Sequence, residues 1–570
     1  MITGAEGALG QELCRVFWNA GWEVVALGRQ KCDITSHDDV LRVAREIRPD
    51  LIVNAAANNA VDKIEEAEEY ERAMQINAYG PKHLAEAALE LGVPFVHYST
   101  DYVFGGDLAR EFYEDDMVAP ISKYGFTKAE GERMIREVGG QWYMCRVTKL
   151  FGRAGVSAGA KLGFFFLMRK LAREKPELKI VDEEGGMPTS TRDIAAATLR
   201  LIEEGWESGI YHLVNDGPCV TWYQFAEEIF ALEPVSIPRI PVSADSFGVR
   251  AAKRPLRVDL RSKKFPMLRS RIEAMREVLA LPKVSVVIVS MNVREILEEN
   301  LREMFSDARG VSFEVIVTDN GSEDGTPEMV WAEFPQVKLV RNAYNSGFAH
   351  ACNQGLRLAN GEVVVFFNPD MRMGVGVLEH VYSVLMARRE IGVMGVKLLA
   401  DDGVTVVESV RRSPGFADQL AILLKLPHVF SGVVARYLAK DFDYSRSQVV
   451  DQVRGSFFAM RRDVLNALGV WDEERFFVWF EEIDFCQRAR AAGYVVWYDA
   501  EVACVDLVGQ TFKKQSLLQK QIWFSRSMVR YFEKWHPWWQ SVVLKLVRPF
   551  VIIAAAVAEV MRFRPNQKVL

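Results

Sequence analysis

A tyrosine and a lysine four residues apart carry the first chemistry that this sequence suggests. Tyr124 and Lys128 lie in the stretch SKYGFTK, and this spacing places both side chains on one face of a helix. A phenol is a weak acid at neutral pH, and a nearby ammonium group stabilises its anion. The pair can therefore give a proton to the oxygen of a ketone while a hydride adds to the carbon. Thr100, in FVHYSTDYVF, is placed to donate a hydrogen bond to the same oxygen.

Three glycines near the start of the chain have the spacing of a dinucleotide-binding turn. Gly4, Gly7 and Gly10 form GxxGxxG, and an amphipathic helix and a second apolar strand follow them. Glycine lets the backbone approach a pyrophosphate, and the N–H groups at the helix start attract its charge. The alternative is a glycine-rich turn without a ligand. Because only Met1 to Thr3 precede the turn, we expect a nearly absent first strand and a truncated or misassigned start.

Residues beyond this turn bear on which cofactor binds. Arg29 follows the second strand where an acidic residue would hold a ribose hydroxyl, so it favours NADPH over NADH, unless it is a solvated surface residue. Asp33 either accepts from an adenine amino group or caps the next helix. Small residues at the end of DLIVNAAA leave room for a flat ring. The further cofactor contacts that we predict are Asn54, Ala55, Ala56 and Asn77.

The second half of the chain places polar residues at strand ends and has no glycine-rich turn. In EVVVFFNPDMRM an apolar strand brings Asp370 to its carboxyl end beside Asn368. A divalent cation held there, Mg²⁺ or Mn²⁺, would neutralise a diphosphate leaving group. Asp319 ends the strand in FEVIVTDNGSEDGT and suits a base or ribose edge, or else it forms an Asx turn. We predict a nucleotide-sugar site containing Asp319, Asn345 and Asn368.

An acidic cluster opens a helix in the stretch FFVWFEEIDFCQRARAAGY. Glu481, Glu482 and Asp484 lie at its start, where a carboxylate can remove the proton from an acceptor hydroxyl. The alternative is that these charges only favour the N-terminus of the helix. Glu482 and Asp484 are the two candidates for a catalytic base.

Two separate units are needed to position these residues. A chain of 570 residues is too long for one hydrophobic core. A helical stretch ends at ALP, and the β-branched strand VSVVIVS then begins a new unit. We predict an α/β protein with a Rossmann-type doubly wound sheet and a small substrate subdomain in residues 1–281. A nucleotide-sugar-binding α/β domain is predicted for 282–535, and an amphipathic helical tail for 536–570.

The composition favours the cytoplasm, and the tail suggests a further contact. The net charge of −6 does not suit nucleic-acid binding, and the seven cysteines form no CxxC pair, as expected in a reducing compartment. No apolar run reaches the length of a spanning helix. The tail interleaves tryptophan, lysine and arginine with apolar residues. It therefore either lies in a membrane interface, packs on its own domain, or contacts a homodimer partner.

The first half resembles the extended short-chain dehydrogenase/reductases, and within them the dTDP-4-dehydrorhamnose reductases. The stretches that carry this resemblance include VDKIEEAEEYERAMQINAYGPKHLA, STDYVFGG, GMPTSTRDIAAA and AAKRPLRVDL. It implies reduction of the 4-keto group of a dTDP-6-deoxy sugar to give dTDP-L-rhamnose. Lys149 stands where the family usually has tryptophan, and AAANNAVDKIE also departs from the family pattern. Both regions approach the sugar in the family, so another deoxysugar is an alternative.

Residues 284–530 resemble the family-2 glycosyltransferases of the GT-A fold, in particular rhamnosyltransferase-like members. The order of DNGSEDGT, NPD and FFVWFEEIDF carries this resemblance. It implies an inverting displacement in which Asp319 contacts the nucleotide, Asp370 holds the metal and Glu482 is the base. Aspartate is commoner than glutamate at the position of Glu482. Asp506 stands where relatives often carry histidine, and we expect it to ligate the metal.

Both resemblances together predict a bifunctional cytoplasmic enzyme of cell-envelope polysaccharide biosynthesis. Its first half would complete dTDP-L-rhamnose, and its second half would transfer the rhamnose to a glycan or lipid-linked acceptor. The tail would hold the enzyme at the inner face of the cytoplasmic membrane. The alternative for the first half is a regulatory or scaffold module without turnover.

Overall fold

The structure of the protein, a computed structural model, divides into two compact units, Met1–Leu281 and Pro282–Leu570. It describes residues 1–106, 110–155, 162–248, 250–306, 310–507 and 516–560. Each unit has its own hydrophobic core, built against its own β-sheet. The predicted α/β fold class is confirmed.

A sheet of six parallel strands forms the centre of the first unit, in the order β6–β5–β4–β3–β1–β2. These strands are β1 Ile2–Thr3, β2 Ala26–Leu27, β3 Ile52–Asn54, β4 Phe95–Thr100, β5 Trp142–Val147 and β6 Gly209–His212. The first strand has only two residues, yet it pairs with both β2 and β3. The carboxyl ends of all six strands therefore meet at one edge, where parallel sheets of this kind bind ligands.

Helices cover both faces of this sheet, as expected for a doubly wound fold. One face packs against α1 and α7, and the other against α2, α4 and α5. The helices of the first unit are α1 Ala8–Asn19, α2 His37–Ile47, α3 Ala67–Met74, α4 Gly80–Leu91, α5 Lys123–Val138, α6 Phe164–Glu174, α7 Thr191–Glu203, α8 Trp222–Leu232 and α9 Arg271–Ala280. A π-helical turn, Gln75–Tyr79, joins α3 to α4.

A smaller part of the first unit lies beyond the carboxyl edge of the sheet. It contains a separate apolar core between α6, α8 and α9. Four short strand pairs support it: Glu111–Phe112 with Asp259–Leu260, Leu150–Phe151 with Thr189–Ser190, Leu178–Val181 with Arg239–Val242, and Asn215–Asp216 with Leu268–Ser270. This part corresponds to the predicted substrate subdomain.

The second unit contains a nine-stranded mixed sheet with the path β9–β8–β7–β10–β14–β12–β15–β11, and β13 pairs with β15. The strand β7 is VSVVIVS, and its residues are buried on both faces, which suits the interior of a parallel sheet. The strands are β7 Val284–Ser290, β8 Phe313–Asp319, β9 Lys338–Arg341, β10 Val363–Phe367, β11 Met371–Arg372, β12 Ile391–Leu399, β13 Gln448–Val450, β14 Phe457–Arg461 and β15 Val495–Asp506.

The described helices of the second unit end in an antiparallel pair, α17 and α18. They are α10 Arg294–Ser306, α11 Thr326–Glu333, α12 Phe348–Leu358, α13 Val377–Ala387, α14 Phe416–Leu423, α15 Arg462–Leu468, α16 Glu481–Ala491, α17 Leu517–Trp535 and α18 Trp538–Val560. One further strand pair, Val410–Arg411 with Gln452–Val453, lies beside the sheet.

The last helix corrects one expectation from the sequence. The helix segment Trp538–Glu559 has 22 residues and contains an 18-residue window with a mean hydropathy of 2.0, so its length and composition would allow it to cross a membrane. Lys545 and Arg548 interrupt the run of apolar residues in this helix. They do not lower its mean hydropathy enough to exclude a membrane-spanning helix. Residues 561–570 of the predicted tail lie outside the described residues.

Candidate active sites

The glycine turn of the first unit has the backbone that a pyrophosphate site needs. Gly4 adopts a positive φ of 67°, and a Cβ on it would collide with the backbone of Ala55 and Ala56. A Cβ on Gly10 would collide with the carbonyl oxygen of Gly4. Gly7 is the N-cap of α1 and has no capping side chain, so the helix presents its first N–H groups. The predicted residues therefore fit a dinucleotide at this turn.

The predicted proton donor and its partners line one cavity with this turn. Thr100 ends β4, and Tyr124 and Lys128 lie one turn apart on α5. The Tyr124 hydroxyl donates to Asn59 Oδ1 at 3.2 Å. Burial raises the pKa of Tyr124, and a hydrogen bond with Thr100 partly opposes this rise. The structure thus brings the three residues together at the carboxyl edge of the sheet.

Lys128 differs in one respect from what its spacing predicts. Its ammonium nitrogen donates to the carbonyl oxygen of Tyr98 at 2.6 Å and lies 3.3 Å from His97 Nε2. Burial lowers the pKa of Lys128 to about 8, although Glu132 on the same helix opposes this change. The rise in the pKa of Tyr124 has burial as its main cause, so the expected stabilisation of the phenolate is outweighed in this geometry.

The opposite wall of the cavity contains Lys149, the departure noted in the sequence. Its ammonium nitrogen lies 3.5 Å from the centre of the Trp222 ring and donates to the Glu184 carbonyl at 2.7 Å. Burial lowers its pKa to about 8, while Asp101 and Glu184 oppose the shift. Its φ of 42° is left-handed, which costs energy for a residue with a side chain. This part of the cavity wall is therefore both aromatic and cationic.

Not every predicted cofactor residue lies on the cavity wall. Asn54 Oδ1 accepts from Thr3 Oγ1 and from the Ala56 amide. Asn77 bridges to the backbone of Asn58 and to Thr127 Oγ1. Both asparagines are fully buried and absent from the described cavity lining, where they hold the surrounding loops. Ala55 and Ala56 do line the cavity, and the cofactor contacts of all four residues stay predictions.

The ribose end of the turn contains an acidic residue that the sequence reasoning missed. Arg29 is exposed just after β2, as expected. However, a Cβ on Gly28 would overlap the carboxylate of Glu6, so Glu6 occupies the place beside the strand end. Asp33 accepts from the amide and hydroxyl of Thr35, and Ser36 caps α2. The proposed capping role of Asp33 is therefore corrected, because Ser36 caps the helix, and the adenine contact of Asp33 stays a prediction.

The second unit has its own cavity, with acidic groups from two strands at one end. Asp370 directly precedes β11, Asp506 ends β15, and the Leu507 amide donates to the Asp370 carbonyl at 3.0 Å. Both aspartates are buried and line the cavity. Asp506 Oδ2 accepts from Ser456 Oγ at 3.2 Å and lies 3.5 Å from Arg454 Nη1. The two predicted metal ligands are thus side by side.

A second acidic pair, Glu481 and Glu482 at the start of α16, lines the same cavity. Trp479 and Phe480, just before the helix, have left-handed φ values of 63° and 71°. Such strain in consecutive residues is costly and is found mostly at functional positions. Glu481 Oε2 and Glu482 Oε2 are buried and accept no hydrogen bond from the described part of the chain. Burial is the main cause that raises the pKa of both carboxyls.

Asp484 does not belong to this acidic pair. Its carboxylate accepts from Arg488 Nε at 2.9 Å and from Trp535 Nε1 at 2.8 Å, and it lies 2.8 Å from Lys534 Nζ. It is fully buried and is absent from the described lining of the cavity. The structure therefore places one of the two candidate bases in a structural ion pair, because Asp484 faces α17 instead of the cavity.

Asp319 also departs from its predicted position. Its carboxylate accepts from Ser290 Oγ at 3.0 Å, from the Ser322 amide at 2.9 Å and from Ser322 Oγ. The neighbouring Asn320 lines the cavity instead. The described hydrogen bonds give Asp319 a structural role at the end of β8, and its nucleotide contact stays a prediction. Asn345 and Asn368 line the cavity, and their contact with a nucleotide sugar likewise stays a prediction.

Two more cavity residues were not predicted from the sequence. Trp523 lies on α17, and its ring is 5.1 Å from that of Phe477 on the cavity wall. Arg454 precedes β14 and forms an ion pair with Asp506, with Nη1 3.5 Å from Oδ2. The run VRGSF before a strand could have indicated Arg454, but nothing local to Trp523 indicates a site.

The acidic groups of this cavity are too few to bind a divalent cation alone, so phosphate groups of a bound substrate would have to complete its coordination. Within the described ranges, no cluster of three or more histidine, cysteine, aspartate or glutamate side chains could hold a metal. Asp370 and Asp506 supply two carboxylates. Mg²⁺ is commonly held by one or two carboxylates together with substrate phosphates, so the pair fits that mode of binding.

Comparisons with known proteins cover both units. The model of the RmlD substrate binding domain matches residues 1–281, and that of glycosyl transferase family 2 matches residues 285–469. The spore coat polysaccharide biosynthesis protein SpsK of Bacillus subtilis is 36% identical over 248 residues, which are 44% of this chain and 84% of that protein. The dTDP-4-dehydrorhamnose reductase of Escherichia coli is 34% identical over 278 residues, 46% of this chain and 90% of that protein.

Solved structures similar to the chain align with about half of it. A dTDP-4-dehydrorhamnose reductase from Clostridium acetobutylicum is 36% identical, covers 49% of this chain and 97% of its own, and gives a TM-score of 0.46. The enzyme from Bacillus anthracis, solved in complex with NADP, is 31% identical with the same coverage and a TM-score of 0.45.

Proposed function

The chain belongs to the RmlD family over its first half and carries a family 2 glycosyltransferase domain in its second, and from this premise we propose that it makes and uses dTDP-L-rhamnose. It is an oxidoreductase joined to a glycosyltransferase. The observation that carries the proposal is that each unit gathers its own catalytic groups round its own cavity. The product of the first reaction is the donor of the second.

The reductase cavity suits transfer of a proton to a sugar ketone. When bound at Gly4, Gly7 and Gly10, a nicotinamide cofactor supplies the hydride. Thr100 orients the ketone oxygen by a hydrogen bond, and Tyr124 gives that oxygen its proton. The raised pKa of Tyr124 keeps the phenol protonated before reaction, which is the form that an acid must have. Lys128 then favours recovery of the phenol.

The transferase cavity suits a single inverting displacement. Asp370 and Asp506 would hold Mg²⁺ or Mn²⁺, which neutralises the charge of a departing dTDP. Asn320, Asn345 and Asn368 surround the donor. The carboxylate of Glu482 removes the proton from the acceptor hydroxyl as that oxygen attacks the sugar carbon. The family resemblance favours Glu482 for this role over the neighbouring Glu481. Its Oε2, like that of Glu481, is buried in the cavity and receives no hydrogen bond from the described residues.

Another deoxysugar is the second candidate substrate, and one observation favours it. Lys149, at the position where the family usually has tryptophan, lies over the ring of Trp222 in the cavity wall. Supplying dTDP-4-keto-6-deoxy-L-sugar, NADPH and Mg²⁺ tests the whole proposal. We expect dTDP-L-rhamnose by mass spectrometry, and its consumption when lipid-linked acceptors are added. No reduction with intact transfer of supplied dTDP-L-rhamnose would instead indicate a scaffold role for the first unit.

Glu6 bears on whether NADH or NADPH is the reductant. Its carboxylate occupies the place beside Gly28, where it would repel a 2′-phosphate and accept from a 2′-hydroxyl. Arg29 would have the opposite effect. We expect Glu6→Gln to raise the affinity for NADPH relative to NADH by about tenfold, the scale of one charge contact. Dissociation constants from nicotinamide fluorescence measure this ratio, and Glu23→Gln, an exposed glutamate elsewhere, is the control. An unchanged ratio would contradict a role for Glu6.

The last helix supports contact with a membrane that carries a lipid-linked acceptor. Its charged groups all turn towards α17: Lys545 pairs with Glu533, Arg548 donates to Ser525, and Glu559 accepts from the Leu518 amide. The opposite face is apolar and exposed along the helix. Its exposed residues are Trp538, Trp539, Val542, Leu546, Phe550, Ile553 and Val557. Because α17 also supplies Trp523 to the cavity, this face belongs to a helix that packs against an element of the cavity wall.

We infer that α18 lies along the membrane surface and does not cross it. A spanning helix would have to leave α17 and lose all three polar contacts. We expect the double variant Leu546→Asp with Phe550→Asp to bind vesicles of phosphatidylethanolamine and phosphatidylglycerol about a hundredfold more weakly, since each apolar side chain contributes about 1.5 kcal/mol or more. Vesicle sedimentation measures this binding. Val375→Asp with Val404→Asp, two exposed valines of the same unit, should leave it unchanged.

Light scattering without vesicles separates this idea from a homodimer. A chain that is dimeric in solution and becomes monomeric in the Leu546→Asp, Phe550→Asp variant, with no vesicle binding in either form, would show that the face binds a second copy.

A further inference from the structure

A buried histidine next to Lys128 takes part in no step described so far. His97 lies on β4, is almost completely buried, and has its two ring nitrogens in contact with Asn54 and Lys128. Burial lowers the pKa of His97 well below its usual range, and the Lys128 charge adds to this effect. The ring is therefore neutral, and only one of its nitrogens carries a proton.

Asn54 determines which nitrogen that is. Asn54 Oδ1 must be the oxygen, because it accepts from the Ala56 amide at 3.0 Å and from Thr3 Oγ1 at 2.8 Å. Asn54 Nδ2 is therefore the group 3.1 Å from His97 Nδ1, and it can only donate. His97 Nδ1 must accept this hydrogen bond, so the ring proton is on Nε2.

The Nε2–H group then faces Lys128. An ammonium nitrogen has no lone pair, so Lys128 can accept from Nε2–H only as a neutral amine. In that form Lys128 accepts from His97 at 3.3 Å and still donates to the Tyr98 carbonyl at 2.6 Å. In the charged form two donors oppose each other. The chain Thr3, Asn54, His97 therefore favours the amine form of Lys128.

We propose that His97, held in one tautomer by Asn54, is a positioning residue that keeps Lys128 able to release and regain a proton during the reduction. This proposal rests on the proposed reductase function for its consequence. The ketone oxygen takes the Tyr124 proton as hydride reaches the carbon. The phenolate then takes a proton from the Lys128 ammonium, and the resulting amine is stabilised by His97 Nε2–H until solvent returns the proton.

Burial is not the only influence on the pKa of Lys128, because neighbouring charges also act on its ammonium group. His97 on β4 and Glu132 on α5 act on Lys128 directly. The other titratable groups that line its cavity are Tyr98, Asp101, Tyr102, Tyr124, Lys149 and Glu184. Glu132 favours the ammonium but is itself engaged by Arg146 at 2.8 Å. His97 is the member of this set whose hydrogen bond opposes the ammonium, so it is the residue to change.

The direct test is to titrate Lys128 without substrate. Full-length protein with ¹³Cε-labelled lysine gives a resonance assigned by its loss in Lys128→Met. We expect His97→Leu, which removes Nε2–H, to raise the pKa of Lys128 by on the order of one unit. Asn54→Ala, which frees His97 to take the other tautomer, should shift it in the same direction. His83→Leu, which removes an imidazole of the same unit that contacts Ile34, should not.

The pH profile of kcat/KM for the reduction supplies the second readout. Activity that needs the Lys128 ammonium falls as pH rises through its pKa, so a raised pKa moves the alkaline limb to higher pH. Both variants should show this shift, whereas a structural defect would lower the profile uniformly. Unmoved titrations in His97→Leu and Asn54→Ala would overturn the proposal. A moved titration without any reductase turnover would uphold the coupling and reject the reductase function.

Discussion

Tyr124→Phe should reduce the reductase rate of this protein by about a thousandfold while leaving glycosyl transfer from supplied dTDP-L-rhamnose unchanged. Removing a positioned general acid typically costs a factor of about 10² to 10⁴. The ring would remain in its apolar cluster with Ile64 and Ala73, so the fold should be preserved. Only the hydroxyl that donates to Asn59 Oδ1 is lost. Stopped-flow loss of nicotinamide absorbance measures the rate, and mass spectrometry measures transfer.

The matched control for this variant is Tyr98→Phe. Tyr98 is also buried beside the cavity, but its hydroxyl is 2.6 Å from Thr198 Oγ1 on α7 and takes no part in the proposed chemistry. We expect it to lose some stability and to keep its rate within a fewfold of the unaltered protein. Equal losses in both variants would mean that any missing phenol disturbs this cavity, and that Tyr124 is not the acid.

Glu482→Gln should have an effect of similar size on the other reaction. An amide has almost the same shape as the carboxylate but cannot accept the proton of the acceptor, so transfer should fall by about 10² to 10⁴. Reduction should continue, and dTDP-L-rhamnose should accumulate. Because burial raises the pKa of Glu482, transfer by the unaltered protein should also fall as pH decreases and the base becomes protonated. Initial rates with radiolabelled donor over a pH series measure both effects.

Asp484→Asn distinguishes this role from that of the second acidic candidate. Its carboxylate holds Arg488, Lys534 and Trp535 together, so the variant should unfold at a lower temperature. Breaking a buried ion pair typically costs about 3 to 5 kcal/mol. Below that unfolding temperature, transfer should persist. A folded Asp484→Asn protein without transfer, beside an active Glu482→Gln protein, would assign the base to Asp484 instead.

Mixing two variants tests whether the product of the first reaction reaches the second reaction through solution. Each unit has a complete set of candidate groups within its own residues. The two variants above should therefore complement each other when mixed: Glu482→Gln protein would supply dTDP-L-rhamnose to Tyr124→Phe protein. Absence of transfer in that mixture, with both single activities intact, would mean that the intermediate does not pass through solution.

The sequence by itself determined the fold class and the order in which the candidate reductase and transferase residues follow one another along this chain. The glycine spacing, the apolar strands and the order of STD and YxxxK require a parallel sheet with a ligand turn, because these patterns depend only on local backbone geometry. The fresh strand at Val284 likewise marks the second α/β unit, since a buried β-branched run cannot continue the preceding helix. Residues that sit at strand ends, such as Thr100 and Asp370, were found in this way.

Tertiary structure decided which polar side chains face the cavities. Asp319 and Asp484 lie within two residues of cavity residues in the sequence, yet neither lines a described cavity. Serine side chains donate to Asp319, and basic and tryptophan side chains contact Asp484. Trp523 reaches its cavity from α17, whose local sequence gives no sign of a site, and Glu6 reaches from the glycine turn to the end of β2. The state of Lys128 depends on a hydrogen-bond chain across β1, β3, β4 and α5. Spacing along a chain fixes neighbours on one helix or strand, but the direction of a side chain across elements depends on packing.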